Sequence, residues 1–506
     1  MARRRRIAAH IDGQLKLWAD PVEKVLPGPE GPFASTDLRG KRVHLVGIGG
    51  IGMSGIAQML QRQGCAVSGC DAKSSELITD LIAQGIEVAI GHSPEHVGGG
   101  ADLVIISAAV RDTNPELRCA QQSGVPVLKY AQALGWLMRG RDGIAVSGSH
   151  GKTTTTSMIA WSLSVAGVDP SVVVGGLVPQ LGGNAVCGAR GPFVVEACEF
   201  DRSFHNLTPR AAVITNIDRD HLDYYTGGLP ELEESFERFA KRVDEDGIVV
   251  VNGDDPVAMR ATERIGATRE TFGEGRECLW RVDRWTRRDG RTQFRALHRG
   301  RDFGTYDLLV PGFYNVRNAL ACIAVCAFFE ANRQSVREAL ASFRGAKRRF
   351  DRLGEAAGVT VMDDYGHHPT EVQVTLAAAR EEYPERRLWC VFQPHQYSRT
   401  RMLLPEFAQS FNKADRVIVP DIYAARDSEA DRASIHARDL VQELRKNGVE
   451  AEYGSELGET LNRLLEVVES GDVVMTMGAG PVDNVAHDLL RELRKRETQH
   501  VVVSRV

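Results

Sequence analysis

The stretch Gly143-Ile144-Ala145-Val146-Ser147-Gly148-Ser149-His150-Gly151-Lys152-Thr153-Thr154-Thr155-Thr156 decides how this chain is read. A short apolar run, Ile144 to Val146, stops at a loop bracketed by two glycines. Ile159, Leu163 and Ala166 then recur at spacings of four and three, which is helix period. Strand, glycine loop and helix N-terminus, in that order, make a phosphate cradle. Gly148 and Gly151 let backbone N–H groups approach phosphate oxygens, and the helix adds its partial positive charge. Lys152 is placed to reach β- and γ-phosphates and Thr153 to put its hydroxyl on Mg²⁺, with Thr154 beside it. A lone Gly-Lys-Thr can be an ordinary helix cap, but the flanking strand, the helix and the run of threonines favour nucleotide binding. The general P-loop has four residues between its glycines; here only Ser149 and His150 intervene.

Upstream, Arg42-Val43-His44-Leu45-Val46 reads as a strand running into Gly47-Ile48-Gly49-Gly50-Ile51-Gly52. Ile56, Met59, Leu60 and Gln63 follow at helical spacing, and Ala66 to Asp71 is the next strand. An acid about 20 residues after the glycines completes a dinucleotide fingerprint. Alone, this indicates a nicotinamide or flavin enzyme, or a Rossmann-like unit holding any nucleoside diphosphate. Apolar strands at Leu103 to Ile106, followed by Ser107, and at Val125 to Leu128 complete a parallel sheet. Two nucleotide loops about a hundred residues apart favour a two-substrate enzyme over a dehydrogenase.

Downstream, Phe193-Val194-Val195 ends in Glu196-Ala197-Cys198-Glu199, and Ala212 to Ile217 ends in Asp218-Arg219-Asp220-His221-Leu222-Asp223. Polar residues at the carboxyl ends of strands line the ligand crevice of an open α/β sheet. A carboxylate and a neutral imidazole there suit a magnesium held mainly by phosphate oxygens. Val282 to Thr286 and Thr292 to Ala296 flank Asp289-Gly290, a hairpin signal. Asn315 and Asn318 share one face of an alanine-rich helix, where Asn315 could equally be a cap. A second α/β pattern has strands at Thr360–Met362, Leu388–Phe392, Val417–Val419 and Val473–Met477. The basic run Lys347-Arg348-Arg349 before it reads as a solvated hinge or a phosphate contact.

These segments resemble the Mur ligases, the ATP-dependent amino-acid ligases of peptidoglycan synthesis. The resemblance lies in the shortened phosphate loop, the run Gly47 to Gly55, Asn216-Ile217 with Asp220-His221, and Gly312-Phe313-Tyr314-Asn315-Val316-Arg317-Asn318-Ala319. It continues in Asp363-Asp364-Tyr365-Gly366-His367-His368-Pro369 and Phe392-Gln393-Pro394-His395, so it runs from about residue 41 to residue 427. It implies a three-domain α/β architecture: an N-terminal extension (1–37), a Rossmann-like UDP-binding domain (38–139), a central P-loop ATPase domain (140–343) and a C-terminal Rossmann-like α/β domain (344–506). The implied reaction joins L-alanine to the lactyl carboxylate of UDP-N-acetylmuramate through an acyl phosphate, with ATP as substrate and Mg²⁺ as cofactor.

Carried over residue by residue, the resemblance implies that Gly47, Gly49, Gly50, Gly52, Met53, Ser54, Asp71 and Ser107 hold the UDP-sugar. Gly148, Ser149, His150, Gly151, Lys152, Thr153, Thr154, Asn315 and Asn318 would hold ATP, and Thr153, Glu196 and His221 the metal. Tyr365, His367, His368, His395 and Arg399 would receive the amino acid, with Lys152, Glu196, His221, His368 and Arg399 catalytic. The family's Glu-Ala-Asp-Glu-Ser becomes Glu196-Ala197-Cys198-Glu199-Phe200, which leaves the role of Glu199 open. Its two arginines after Phe-Gln-Pro-His become Gln396 and Arg399. The recycling ligase of the same family, which attaches a whole tripeptide, shares the first loop and stays an alternative. A nucleotide-sensing protein without turnover is an alternative of another class.

Composition agrees with a multidomain enzyme. At 506 residues two to four domains are expected, and 43% hydrophobic with 25% charged residues is ordinary for a globular protein. A net charge of -5 argues against general nucleic-acid binding, and no apolar run is long enough to span a bilayer. The N-terminal Arg3 to Arg6 has the charge of a signal peptide without the apolar stretch, which suggests a solvated arm. Nine scattered cysteines, an odd number with no zinc-ligand spacing, read for the most part as small core residues of a cytoplasmic protein. A monomer or weak homodimer is expected.

Overall fold

A computed structural model describes residues 38–503 apart from Asp223 and Arg426; the expected extension 1–37 lies outside the described residues. The chain divides into two compact units, one running up to Arg139 with His205–Thr208 added, the other holding the remainder. The first unit contains a five-stranded sheet of β1 (Arg42–Val46), β2 (Ala66–Asp71), β3 (Glu87–Ile90), β4 (Leu103–Ile106) and β5 (Val127–Lys129). Its order is β3-β2-β1-β4-β5 and every pairing is parallel, as the apolar runs predict. Leu103–Ile106 is buried throughout because a parallel strand is covered on both faces.

The second unit holds two sheets. The larger contains β6 (Gly143–Ser147), β7 (Ser171–Val178), β8 (Gly183–Val186), β9 (Phe193–Glu196), β10 (Ala211–Ile214), β11 (Ile248–Asn252), β12 (Thr268–Gly273), β13 (Trp280–Arg288), β14 (Arg291–His298) and β15 (Arg301–Leu308). They lie in the order β15-β14-β13-β12-β11-β10-β6-β9-β7-β8. The fully buried β6 sits between β10 and β9, parallel to both. The phosphate loop thus emerges beside the carboxyl ends of the two strands that carry the acids and His221, at the crevice of an open α/β sheet. Ile159 and Leu163 of the helix Lys152–Val165 pack with Leu320 and Ile323 of the helix Phe313–Phe328 in one apolar core over this sheet.

The last sheet comprises β16 (Asp351–Ala356), β17 (Val359–Asp364), β18 (Leu388–Phe392), β19 (Arg416–Pro420), β20 (Ala451–Ser455) and β21 (Val473–Met477), in the order β16-β17-β21-β18-β19-β20. Sequence patterning misses both edges, β16 and β20. Edge strands are half covered and carry polar residues, so neither shows an apolar run. The predicted hairpin forms around Asp289-Gly290, whose φ values of 50° and 71° suit a two-residue turn. The strand expected to reach Ile217 stops at Ile214, because Thr215 and Asn216 turn to bond the phosphate loop. No helix among the described residues is long and apolar enough to cross a membrane.

Gly148 locks this arrangement. Its φ is +128°, and an added Cβ would lie 2.0 Å from Thr215 Oγ1. Gly148→Ala is therefore expected to cost roughly 2–6 kcal/mol, from backbone strain of about 1–3 and overpacking of about 1–3. Gly140→Ala, where φ is +70° but the space is open, meets only the strain. Thermal melting compares them, and equal midpoints would contradict the close approach.

Candidate active site

The phosphate loop is held from outside by the residues that follow β10. Ser149 N–H donates to the Asn216 carbonyl at 3.0 Å and His150 N–H to Asn216 Oδ1 at 2.9 Å. Asp218 N–H returns a bond to Ser149 Oγ at 2.8 Å, and the His150 carbonyl accepts from Thr215 Oγ1 at 2.6 Å and Asn216 Nδ2 at 3.0 Å. Gly151 takes the left-handed conformation as helix cap, with Asn318 against it where a Cβ would be.

Lys152 extends from the first helical position into a buried corner. Its Nζ donates to the carbonyls of Gly148 and Ser149 and, at 2.9 Å, to Glu199 Oε1. Burial works against its charge, but Glu199 outweighs burial and raises its pKa. Thr153 takes a different acid: its Oγ1 donates to Glu196 Oε2 at 2.9 Å, and Gly175 N–H holds the same oxygen. His221 faces Glu199, with Nε2 3.8 Å from Oε1 and equally far from Asp220 Oδ2. The expected trio is thus split: Thr153 meets Glu196, whereas His221 meets Glu199. Spacing alone could not tell which acid turns which way.

Beside the loop lies a cavity of about 380 Å³ lined by Gly151, Asn216, Asn252, Asp255, Tyr314 and Arg349 among others. The predicted Asn315 and Asn318 are on its wall, as are His150 and Thr154. Asn315 is no cap: the cap is Gly312, and Asn315 Nδ2 donates to the Pro311 carbonyl while its Oδ1 receives Asn318 Nδ2 at 3.2 Å. Asn252, Asp255 and Tyr314 escaped the sequence reading, although Asn252 ends a strand and the strand-end rule could have found it. The basic run divides its duties. Arg348 pairs with buried Asp363 at 2.9 Å, whereas Arg349 reaches the cavity wall and lies 3.5 Å from Thr153 Oγ1.

The histidines that follow strands of the last sheet meet His150 of the phosphate loop. His150 bridges Asp218 at 3.0 Å and Glu371 at 3.2 Å and packs on the His368 ring at 4.8 Å. Burial would lower the His150 pKa, but the two carboxylates raise it to about 9. His368 caps its own helix through Nδ1, is held below the usual histidine range by burial and neighbouring His150, and keeps a buried Nε2 without a hydrogen-bond partner among the described residues. His367 packs between Tyr365 and His395, and burial lowers its pKa to about 4. Arg399 is 8% exposed, donates to Asp220 Oδ1 at 2.9 Å and sits 3.3 Å from His395 Nδ1. Its guanidinium therefore already has a carboxylate partner, and that partner is buried rather than a surface acid.

In the first unit, Gly47, Gly49, Gly50, Asp71 and Ser107 line a cavity of about 650 Å³. Gly49 N–H donates to Asp71 Oδ2 at 3.0 Å. Gly52, Met53 and Ser54 lie within the helix that follows: Gly52 packs against Tyr130, Met53 is buried, and Ser54 Oγ bonds the Ile51 carbonyl. The structure does not place these three on the cavity wall.

Three family models match in succession: the Mur ligase family catalytic domain over 42–142, the Mur ligase middle domain over 146–326 and the Mur ligase glutamate ligase domain over 348–480. UDP-N-acetylmuramate–L-alanine ligases of Caldanaerobacter subterraneus and Geobacter sulfurreducens are each 42% identical, covering 90% of this chain and 98% of their own. Among solved structures, the UDP-N-acetylmuramate–alanine ligase of Thermotoga maritima superposes with a TM-score of 0.77 at 29% identity, over 90% of this chain and 99% of that one. A murein peptide ligase of Psychrobacter arcticus, at 23% identity and a TM-score of 0.67 over 90% and 99%, shares the fold. The chain belongs to the Mur ligase family.

The His150 cluster carries a pH signature. Its folded pKa of about 9 exceeds the unfolded value of about 6.5, so its stabilisation is complete below about 6.5 and is lost as pH rises through 9. The melting temperature is expected to fall over that window and to fall less steeply in His150→Gln. Parallel pH profiles for the two proteins would remove His150 as the source.

Proposed function

We propose that this chain joins L-alanine to UDP-N-acetylmuramate, consuming ATP and releasing ADP and phosphate, in peptidoglycan precursor synthesis. The observation that carries this reading is 42% identity over 90% of the chain to ligases of that name, together with a buried lysine and two acids at the mouth of a phosphate loop. The reading divides the chain into domains at 38–139, 140–343 and 344–506.

The lactyl carboxylate is a poor electrophile because its leaving group would be oxide. A carboxylate oxygen attacks the γ-phosphorus of ATP, the bond to the β-bridging oxygen breaks, and an acyl phosphate and ADP result. The alanine amine then attacks the acyl carbon, and the tetrahedral intermediate collapses by expelling phosphate as the nitrogen loses its proton. Lys152 and the N–H groups at the start of the helix Lys152–Val165 meet the phosphate charge and hold the reacting groups in line. Arg349, on the cavity wall beside Thr153, adds a second cation. His368, kept neutral by burial and accepting Thr370 N–H at Nδ1, presents Nε2–H as a donor, whereas neutral His367, whose Nδ1–H donates to the Tyr365 carbonyl, leaves Nε2 to accept the amine proton. His367, His395 and Tyr365 surround the position where Arg399 meets the alanine carboxylate.

The donor set also suits Mg²⁺. Thr153 with Glu196 on one side and His221 with Glu199 on the other would hold it, and among the described residues Glu199 Oε2 and His221 Nδ1 are buried atoms without hydrogen-bond partners. When bound, the ion neutralises phosphate charge as it develops.

Phosphate release with ATP and UDP-N-acetylmuramate, measured across a panel of amino acids and the cell-wall tripeptide, tests the reading. Alanine is expected to support turnover; release with the tripeptide alone would assign the recycling reaction instead.

Lys152→Gln is expected to abolish ligation and, by leaving Glu199 uncompensated at 1% side-chain exposure, to cost roughly 3–5 kcal/mol of stability. Adding Glu199→Gln should restore the melting temperature without restoring turnover, which separates chemistry from folding. Arg399→Lys keeps a charge beside Asp220 but loses the planar fork. It should raise the alanine KM by about ten- to a hundredfold, the equivalent of roughly 1.5–3 kcal/mol, with little change for ATP or UDP-N-acetylmuramate. An unchanged alanine KM would move the carboxylate to another group.

A further inference from the structure

Five side chains of the first unit that the reaction does not use converge on one another behind the glycine loop. His44 comes from β1, Cys70 from β2, His92 from the loop after β3, His96 from the helix Glu95–Gly98, and Glu116 from the first turn of the helix Pro115–Gln122. Glu116 and Cys70 are fully buried and His44 nearly so. Cys70 Sγ donates to Glu116 Oε2 at 2.9 Å, and His92 Nδ1 is 2.8 Å from the same oxygen. His96 Nδ1 is 2.6 Å from Oε1, on the side from which His44 Nε2 approaches to 3.6 Å.

Hydrogen bonding leaves this cluster incomplete. His44 Nδ1 is fixed by Ser68 Oγ at 2.9 Å, yet its Nε2 has no hydrogen-bond partner among the described residues although the side chain is only 3% exposed. With the proton on Nδ1, a lone pair faces the carboxylate; with it on Nε2, the distance is too long for a hydrogen bond. A cation between the two groups removes the conflict. The ligand atoms of His44, Cys70, His96 and Glu116 all lie within 4.8 Å of one another. A zinc tetrahedron with bonds of about 2.0–2.3 Å has edges of about 3.3–3.8 Å, so small side-chain adjustments complete it. Two imidazoles, a thiolate and a carboxylate are a borderline-soft set that favours Zn²⁺ over Mg²⁺ or Ca²⁺. The Ser68 bond is the outer-shell contact that orients a metal-bound histidine.

We propose that His44, Cys70, His96 and Glu116 form a structural zinc site, with His92 at its rim, that ties β1, β2 and two helices together behind the nucleotide-sugar cavity. His92, Asn114 and Pro115 also line that cavity, so the ion braces its wall. Binding replaces the Cys70 S–H bond by S–Zn and releases that proton, so affinity rises with pH. The four ligands are scattered over the sequence, which is why no short spacing betrays them.

The full-length protein, stripped with chelator and dialysed against Zn²⁺, is expected to retain one zinc per chain by elemental analysis and to melt higher than the stripped form. Cobalt loading should give tetrahedral visible bands and a thiolate charge-transfer band. Cys70→Ser should lose that band, and His96→Gln, changed at a partly exposed position, should weaken zinc at least tenfold. Glu196→Gln should keep both, which separates this ion from one at the ATP site. Retention of less than stoichiometric zinc, absence of the charge-transfer band, or zinc binding in His96→Gln equal to the parent would each overturn the proposal.

Discussion

The second unit depends on the bonds between the phosphate loop and the segment after β10. A glycine-rich loop has little side-chain packing of its own, so its shape must be imposed. Here Thr215, Asn216 and Asp218 impose it through bonds to Ser149 and His150. The parallel pairing of β6 with β10 brings the two loops side by side, and Gly148 permits the contact because a larger residue would strike Thr215. The consequences run outward. Asp218, positioned by the loop, accepts from Thr370 and His150, and His150 in turn pairs with Glu371, so the last sheet's histidines are located by the same construction.

What could be read from the sequence was what is local in the chain. The phosphate cradle is contiguous, so strand, glycines, lysine and threonine declared themselves together. Buried parallel strands such as Leu103–Ile106 and Leu388–Phe392 showed as apolar runs because both faces are covered. The edges β16 and β20 did not, because one side of each is unpaired. Within the site, the identities of the acids were legible but their destinations were not. Glu196 still belongs to β9 and turns to Thr153, whereas Glu199, three residues on, lies beyond the strand and turns to Lys152 and His221. Contacts across long separations were silent too: Arg399 with Asp220 spans 179 positions and Arg349 with Thr153 spans 196.

The histidines illustrate how one residue type is put to opposite uses. His150 lies between two carboxylates and holds its proton to about pH 9, whereas His367, buried with Arg399 nearby, gives its proton up above about pH 4. Each ring owes its state to neighbours rather than to position in a motif. A cationic ring suits a clasp between loops, and a neutral ring suits a place where an amine must shed a proton.

Lys152 has three N–H donors, and all three are occupied, by two carbonyls of its own loop and by Glu199. A phosphate arriving there does not find a waiting charge; it competes with an internal ligand that already imitates it. On the proposed reading, nucleotide capture by this lysine is an exchange, in which the affinity gained is the difference between two similar partners. Such a lysine acts less as an adhesive than as a gauge. It rewards an incoming anion only to the extent that the anion outdoes Glu199, which makes the Lys152 contact selective for the number and placement of phosphate oxygens rather than for negative charge as such.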